Sequence, residues 1–227
     1  MAFTSLLSVL KTTCFTVIGV ATLLMVTSCA GLRQAGSDSA TTDGSETSTE
    51  PARVLTPNPY LQSIPRISDA VAASFARGTE AMDAENWREA ERIFQQLTIS
   101  EPKLSGSWVN LGILHYQNGD FDRAESAWET ALAINPLNFD AYNQLAVLKR
   151  EQGDFQAAEK IYLNSLAKWS DNAETHCNLG ILYDLYMGRW NQALAEYKEC
   201  AALTEEPSRQ LRGWIVDMER RIGANNN

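Results

Sequence analysis

Ser107-Trp-Val-Asn-Leu-Gly-Ile-Leu-His-Tyr116 has two later echoes in the chain, Asp140-Ala-Tyr-Asn-Gln-Leu-Ala-Val-Leu148 and Glu174-Thr-His-Cys-Asn-Leu-Gly-Ile-Leu-Tyr183. Aligned on Leu111, Leu145 and Leu179, the three stretches step by 34 residues. The turns that follow repeat as well. Asn118-Gly-Asp-Phe and Gln152-Gly-Asp-Phe each set a glycine where a helix leaves through the left-handed region, then an aspartate able to cap the next helix. A period of this size predicts stacked helix pairs in which each pair covers the apolar face of its neighbour.

Working outward from this centre, four units emerge. Residues 105–138 carry Trp108, Leu111, Gly112, Tyr116, Ala124, Trp128, Ala131 and Pro136, and this order of large, small and turn residues resembles the tetratricopeptide (TPR) repeat. Residues 71–104 keep Gly78, Ala90, Phe94, Leu97 and Pro102, but have Ser74 and Arg77 where the family usually has Trp and Leu. Residues 139–172 supply Tyr142, Leu145, Ala146, Ala158 and Tyr162, with Ser170 instead of the closing proline. Residues 173–206 supply Leu179, Gly180, Tyr183, Ala193 and Tyr197, with one extra residue before Gly188. The resemblance implies an all-α, right-handed solenoid of about four helix-turn-helix repeats over 66–206. Leu211, Trp214, Ile215, Met218 and Ile222 recur at helical spacing, so 207–222 is expected to be a capping helix, with 223–227 a tail.

The chain starts differently. Residues 1–28 have a single charge at Lys11 followed by a short apolar core, too short and too rich in threonine for a spanning helix, and they read as a signal peptide. Val26-Thr27-Ser28-Cys29 resembles the bacterial lipobox, which implies acylation of Cys29 and attachment to a membrane through it. Ala30 rather than Asp in the next position implies, by resemblance to lipoproteins of double-membraned bacteria, the periplasmic side of the outer membrane. Residues 29–65 are rich in Gly, Ser, Thr, Asp and Pro, and are expected to form a disordered tether about 30–35 Å in mean span.

Composition narrows the function. With 19 Lys+Arg against 28 Asp+Glu, and only Lys11 lost with the leader, the remaining chain has a net charge of about −10, which repels nucleic acid. No phosphate loop, nucleophile elbow or metalloprotease pair is present. Two histidines, His115 and His176, fall where repeats need bulk, and two cysteines of the repeat region, Cys177 and Cys200, are too few for a zinc site. No catalytic residue, metal or cofactor is therefore expected. Cys177 and Cys200 lie on antiparallel helices, but their positions direct one toward the inner surface and the other into the helix pair, which disfavours a bridge.

In TPR folds the first helices of successive pairs line a concave groove. Carried over by position, the groove residues are Phe75, Val109, Asn110, Ile113, Tyr116, Gln117, Asn143, Gln144, Val147, Arg150, Asn178, Ile181 and Asp184. The family's clamp for terminal carboxylates needs Lys and Arg where this chain has Phe75, Thr79 and Asp140, so that ligand does not fit. Amides alternating with aliphatics suit an extended segment or a helix. The function implied is an outer-membrane-anchored periplasmic scaffold binding segments of envelope proteins during assembly of an envelope machine. Pilotin-like pilus assembly, association with TonB/ExbB systems and a structural homo-oligomer are the alternatives.

Overall fold

A computed structural model describes residues 54–225, all in one compact unit. The leader, Cys29 and the first part of the tether lie outside the described residues. A short turn, α1 (Tyr60–Ser63), precedes the first pair, α2 (Asp69–Asp83) and α3 (Trp87–Ser100). Three further pairs follow: α4 (Ser105–Gln117) with α5 (Phe121–Ile134), α6 (Phe139–Glu151) with α7 (Phe155–Lys168), and α8 (Ala173–Ile181) with α9 (Trp190–Ala202). Helix α10 (Arg209–Asn225) closes the stack, two residues later in its start and three later in its end than the pattern predicts.

Local chemistry starts and stops these helices. Side chains of Ser68, Asp120, Asn138, Asp154 and Asn172 each accept a hydrogen bond from a backbone N–H three residues on, satisfying a first-turn donor that has no partner within its helix. Gly119 and Gly153 sit at φ 77° and 82°, as their turns require. The first pair lacks that glycine: Glu85, 34 residues before Gly119, is held at φ 55°.

Packing follows the small–large pairing of the repeat. A methyl group on Gly112 would stand 2.4 Å from the Trp128 ring, and one on Gly180 would stand 2.6 Å from Tyr197. Both rings are completely or almost completely buried, so glycine at these positions is what lets the two helices of a pair approach. The Trp128 indole N–H finds the Val109 carbonyl at 3.1 Å, which removes the polar cost of burying it. Three apolar clusters run along the stack, one at each junction between pairs, and the last includes Leu211 and Met218 of α10. Trp214 of α10 stacks on Tyr197 at 5.3 Å, as expected for a cap on the fourth pair.

Two expectations need correction. The tether does not stay free up to residue 65: Thr56, Tyr60 and Ser63 are bonded to the start of α4 and to the loops that precede α6 and α8. Apolar side chains in that segment, and Pro57 and Pro59, set it apart from the Ser/Thr-rich stretch before it. Cys177 and Cys200 are bonded to each other, with Cα atoms 5.3 Å apart. The fifth position of α8 lies on the boundary between inner surface and helix pair, so its side chain can turn inward to α9.

Candidate inner-surface docking site

The first helix of each pair faces inward, and the described structure divides the thirteen expected groove residues into those that remain accessible and those that the core takes. Val109 and Ile113 belong to the core, 4% and 8% exposed, packed with Trp128 and Leu145. Asn143 is 2% exposed; its Oδ1 accepts from the Thr175 hydroxyl at 2.9 Å, and its Nδ2 has no hydrogen-bond partner. Phe75 meets Phe94 edge-on at 5.4 Å and lies against Gly106, joining the first pair to the second. Asp184 accepts from Tyr197 Oη at 3.4 Å and is 3.6 Å from Arg221 of the capping helix. These five hold the stack together and offer little of themselves to a ligand.

The others remain within reach of solvent. Gln117 is exposed, and Asn110, Gln144, Val147, Arg150, Asn178 and Ile181 are half-buried. Asn110 spends its amide on the Gly106 carbonyl of its own helix at 3.0 Å, which leaves its Oδ1 for a partner. Tyr116 donates to the Glu151 carboxylate on the next first helix, and burial together with that anion pushes its phenol up to about 12. The Arg150 guanidinium lies over the Tyr186 ring at 5.4 Å.

The fourth pair has a feature that the one-residue insertion foreshadowed. Residues Leu182–Tyr186 form a π-helical turn, which absorbs the extra residue without breaking the helix. It leaves Leu185 66% exposed at the rim, and it rests Tyr186 on Phe155 at 5.3 Å.

Inner-surface electrostatics are acidic at one place. Asp140 and Glu174 occupy the same position in successive first helices and are exposed in area, yet closely surrounded by protein on the concave side. Crowding raises the Asp140 carboxyl above its ordinary range. The same crowding, reinforced by the Asp140 charge, raises Glu174 to about 7. Two neighbouring carboxylates that resist charging favour a cationic group between them.

The histidines behave as packing residues. His115 is buried, and His176 is held by Glu196 Oε2 at 2.6 Å and the Ser170 carbonyl at 2.9 Å. Burial opposes a charge on His176, but these two acceptors and nearby Glu199 outweigh it and raise its pKa. Among the described residues no three His, Cys, Asp or Glu side chains gather as a metal site would need, and no helix is long and apolar enough to cross a membrane.

Pattern reading missed the surface at the opposite end of the first helices. Trp169 and Asp171, in the loop before α8, grip Thr56, and nothing in a 34-residue period marks these two positions, since Asn135 and Leu137 are their counterparts one repeat earlier. The usable signal was the cluster of apolar residues and prolines within the tether.

Comparison with known proteins agrees with this architecture. The tetratricopeptide repeat family profile matches residues 109–173. Among solved structures, PilF of Pseudomonas aeruginosa superposes with a TM-score of 0.62 at 16% identity, covering 69% of this chain and 70% of that one. A thermophilic TPR protein of Thermus thermophilus gives 0.57 at 21% identity over 70% of this chain and 85% of that one, and MamA from Desulfovibrio magneticus gives 0.55 at 16% over 70% and 88%. No curated protein matches the sequence. With four helix pairs among the described residues, glycine-to-ring packing in three of them and a capping helix, the chain has the tetratricopeptide-repeat fold, and residues 109–173 match that family's profile.

Proposed function

We propose that the chain is a lipid-anchored scaffold on the periplasmic face of the outer membrane, binding extended segments of envelope proteins along its inner surface while an envelope machine is assembled. The observation that carries the binding role is the accessible row Gln144, Val147, Asn178 and Ile181, where amides can satisfy a partner's backbone and aliphatics can cover its side chains. Asp140 and Glu174 beside this row favour a segment bearing Lys or Arg. Support for the anchor comes from Val26-Thr27-Ser28-Cys29, since two or more acyl chains on one cysteine hold a protein stably in a bilayer.

In-cell photocrosslinking from positions 144, 147 and 181 tests the binding role. Capture of an envelope protein through a basic segment is the expected result, and capture of nothing from all three positions would refute it. For the anchor, Cys29→Ser is expected to abolish incorporation of labelled fatty acid and to move the protein to the soluble fraction; persistent labelling would refute acylation at this residue.

A further inference from the structure

Residues 54–64 run along the edge formed by the loops that precede α4, α6 and α8. They begin at the loop before α8 and end between the start of α4 and the loop before α6. At one end, the Thr56 N–H and hydroxyl both donate to Asp171 Oδ2, at 2.7 and 2.6 Å, while Trp169 Nε1 donates to the Thr56 carbonyl at 3.0 Å. The loop before α8 thus holds both backbone groups of one residue. Trp169 is itself positioned against the buried Phe139 at 5.2 Å, and Asp171 is 9% exposed. Further along, the Tyr60 hydroxyl lies 3.5 Å from both Ser105 Oγ and Asn138 Nδ2, a pair bonded to each other at 3.0 Å and almost fully buried. Asn135 Nδ2 then donates to Ser63 Oγ at 2.8 Å.

The way this segment is held differs from the way the helices are held. Val54, Leu55 and Leu61 are 91%, 48% and 57% exposed, so these aliphatic side chains stay in water, while Pro59, Tyr60 and Ile64 are only half-buried. Polar contacts fix it more than apolar burial does, and each hydrogen bond that replaces one to water contributes little net. Pro57 and Pro59 reduce the ordering cost of docking and of redocking. A segment gripped through its backbone and three hydroxyls, with no fully buried side chain, is built to exchange.

We infer that the edge bearing Trp169, Asp171, Ser105, Asn138 and Asn135 is a docking site for an extended segment with the spacing Thr-x-x-x-Tyr, filled in cis by residues 54–64, and that a partner segment of this chemistry docks only after the strap has left. The strap gates the edge because a segment in the same chain competes at an effective concentration on the order of millimolar. Use of the edge in the cell depends on the scaffold reading above; the strap's release does not.

A fluorescent synthetic peptide of residues 53–65, titrated against the full-length chain, tests this. In Thr56→Pro/Tyr60→Ala the strap is weakened but the edge is intact, and that variant is expected to bind the peptide at least tenfold more tightly than the unaltered chain. Adding Asp171→Ala is expected to cancel the gain. Equal binding to the unaltered and strap-weakened chains, no binding to either, or binding indifferent to Asp171→Ala overturns the inference. Hydrogen exchange on the unaltered chain gives a readout that needs no variant: the Thr56 and Tyr60 amides are expected to exchange at least a hundredfold faster than those of α5, and exchange in step with α5 overturns it. Peptide binding that follows these rules while crosslinking from 144, 147 and 181 captures nothing would leave the edge standing and refute only the inner-surface reading.

Discussion

The second and fourth helix pairs share a design and differ in how they are closed. In the second, a 34-residue unit turns at Gly119 and locks Trp128 over Gly112, with both neighbouring pairs covering it. In the fourth, the same ring-over-glycine contact between Tyr197 and Gly180 persists, but a π-turn takes up one more residue, a disulfide joins α8 to α9, and a single helix stands in for the next pair. An interior pair is held by neighbours on two sides. The terminal pair has one repeat neighbour and adds covalent and capping restraints, as one expects of a solenoid in which each unit touches only those next to it.

The largest expected effect tests the shared contact. Trp128→Ala should cost about 3–5 kcal/mol in chemical denaturation, because a fully buried ring leaves a cavity in the middle of the stack. Tyr197→Ala should cost less cooperativity: with the disulfide intact, α8 and α9 stay paired, and hydrogen exchange should show protection lost only in the fourth pair and α10. Equal loss of protection throughout the chain would mean that the end is not a separable unit.

Next in size is the disulfide. Cys177→Ala/Cys200→Ala closes no loop across the separation of 23 residues and should lower stability by about 3 kcal/mol on the chain-entropy account. Reduction with dithiothreitol should destabilise the unaltered chain by a similar amount and leave the variant unchanged; a variant as sensitive to reduction as the unaltered chain would contradict the pairing.

A smaller effect concerns the first pair. Glu85 occupies the left-handed turn position that Gly119 and Gly153 take later, and a non-glycine residue there costs about 1 kcal/mol or more. Glu85→Gly should raise stability, by less than about 1 kcal/mol because glycine also loosens the unfolded chain. A lower melting temperature for this variant would show that the Glu85 side chain contributes more than its strain removes.

The smallest expected effect depends on pH. Glu174 has a folded pKa of about 7, above its ordinary 4.5, so the native state holds more of this proton than the unfolded state between those values. Its contribution to stability therefore falls as pH rises through that window. Glu174→Gln should melt like the unaltered chain near pH 4 and above it near pH 8. A difference that does not grow with pH would remove the crowding argument for Asp140 and Glu174.

Much of this was legible in the chain itself. The spacing of Leu111, Leu145 and Leu179 and the alternation of Gly112 with Trp128 and of Gly180 with Tyr197 declare a helix-pair stack, because a fixed period of small and large residues has few other ways to bury its apolar faces. Less legible was which inward positions stay open. Val109, Asn143 and Cys177 share one repeat register, and the period does not show that the core takes it: Val109 packs with Trp128, Asn143 accepts from Thr175, and Cys177 pairs with Cys200. Likewise, the disulfide required the rotation of α8 against α9, which spacing does not carry.

What sequence alone determined here is periodic: the number of pairs, their turns, their caps and the glycine-to-ring contacts, all set by residues close in the chain or one repeat apart. What only the tertiary structure decided is aperiodic. The grip of Asp171 and Trp169 on Thr56 joins residues 115 and 113 positions apart, and the shared crowding of Asp140 and Glu174 exists only once the concave surface has formed. Contacts of that kind depend on where the stack's curvature places distant groups, and no local propensity encodes it.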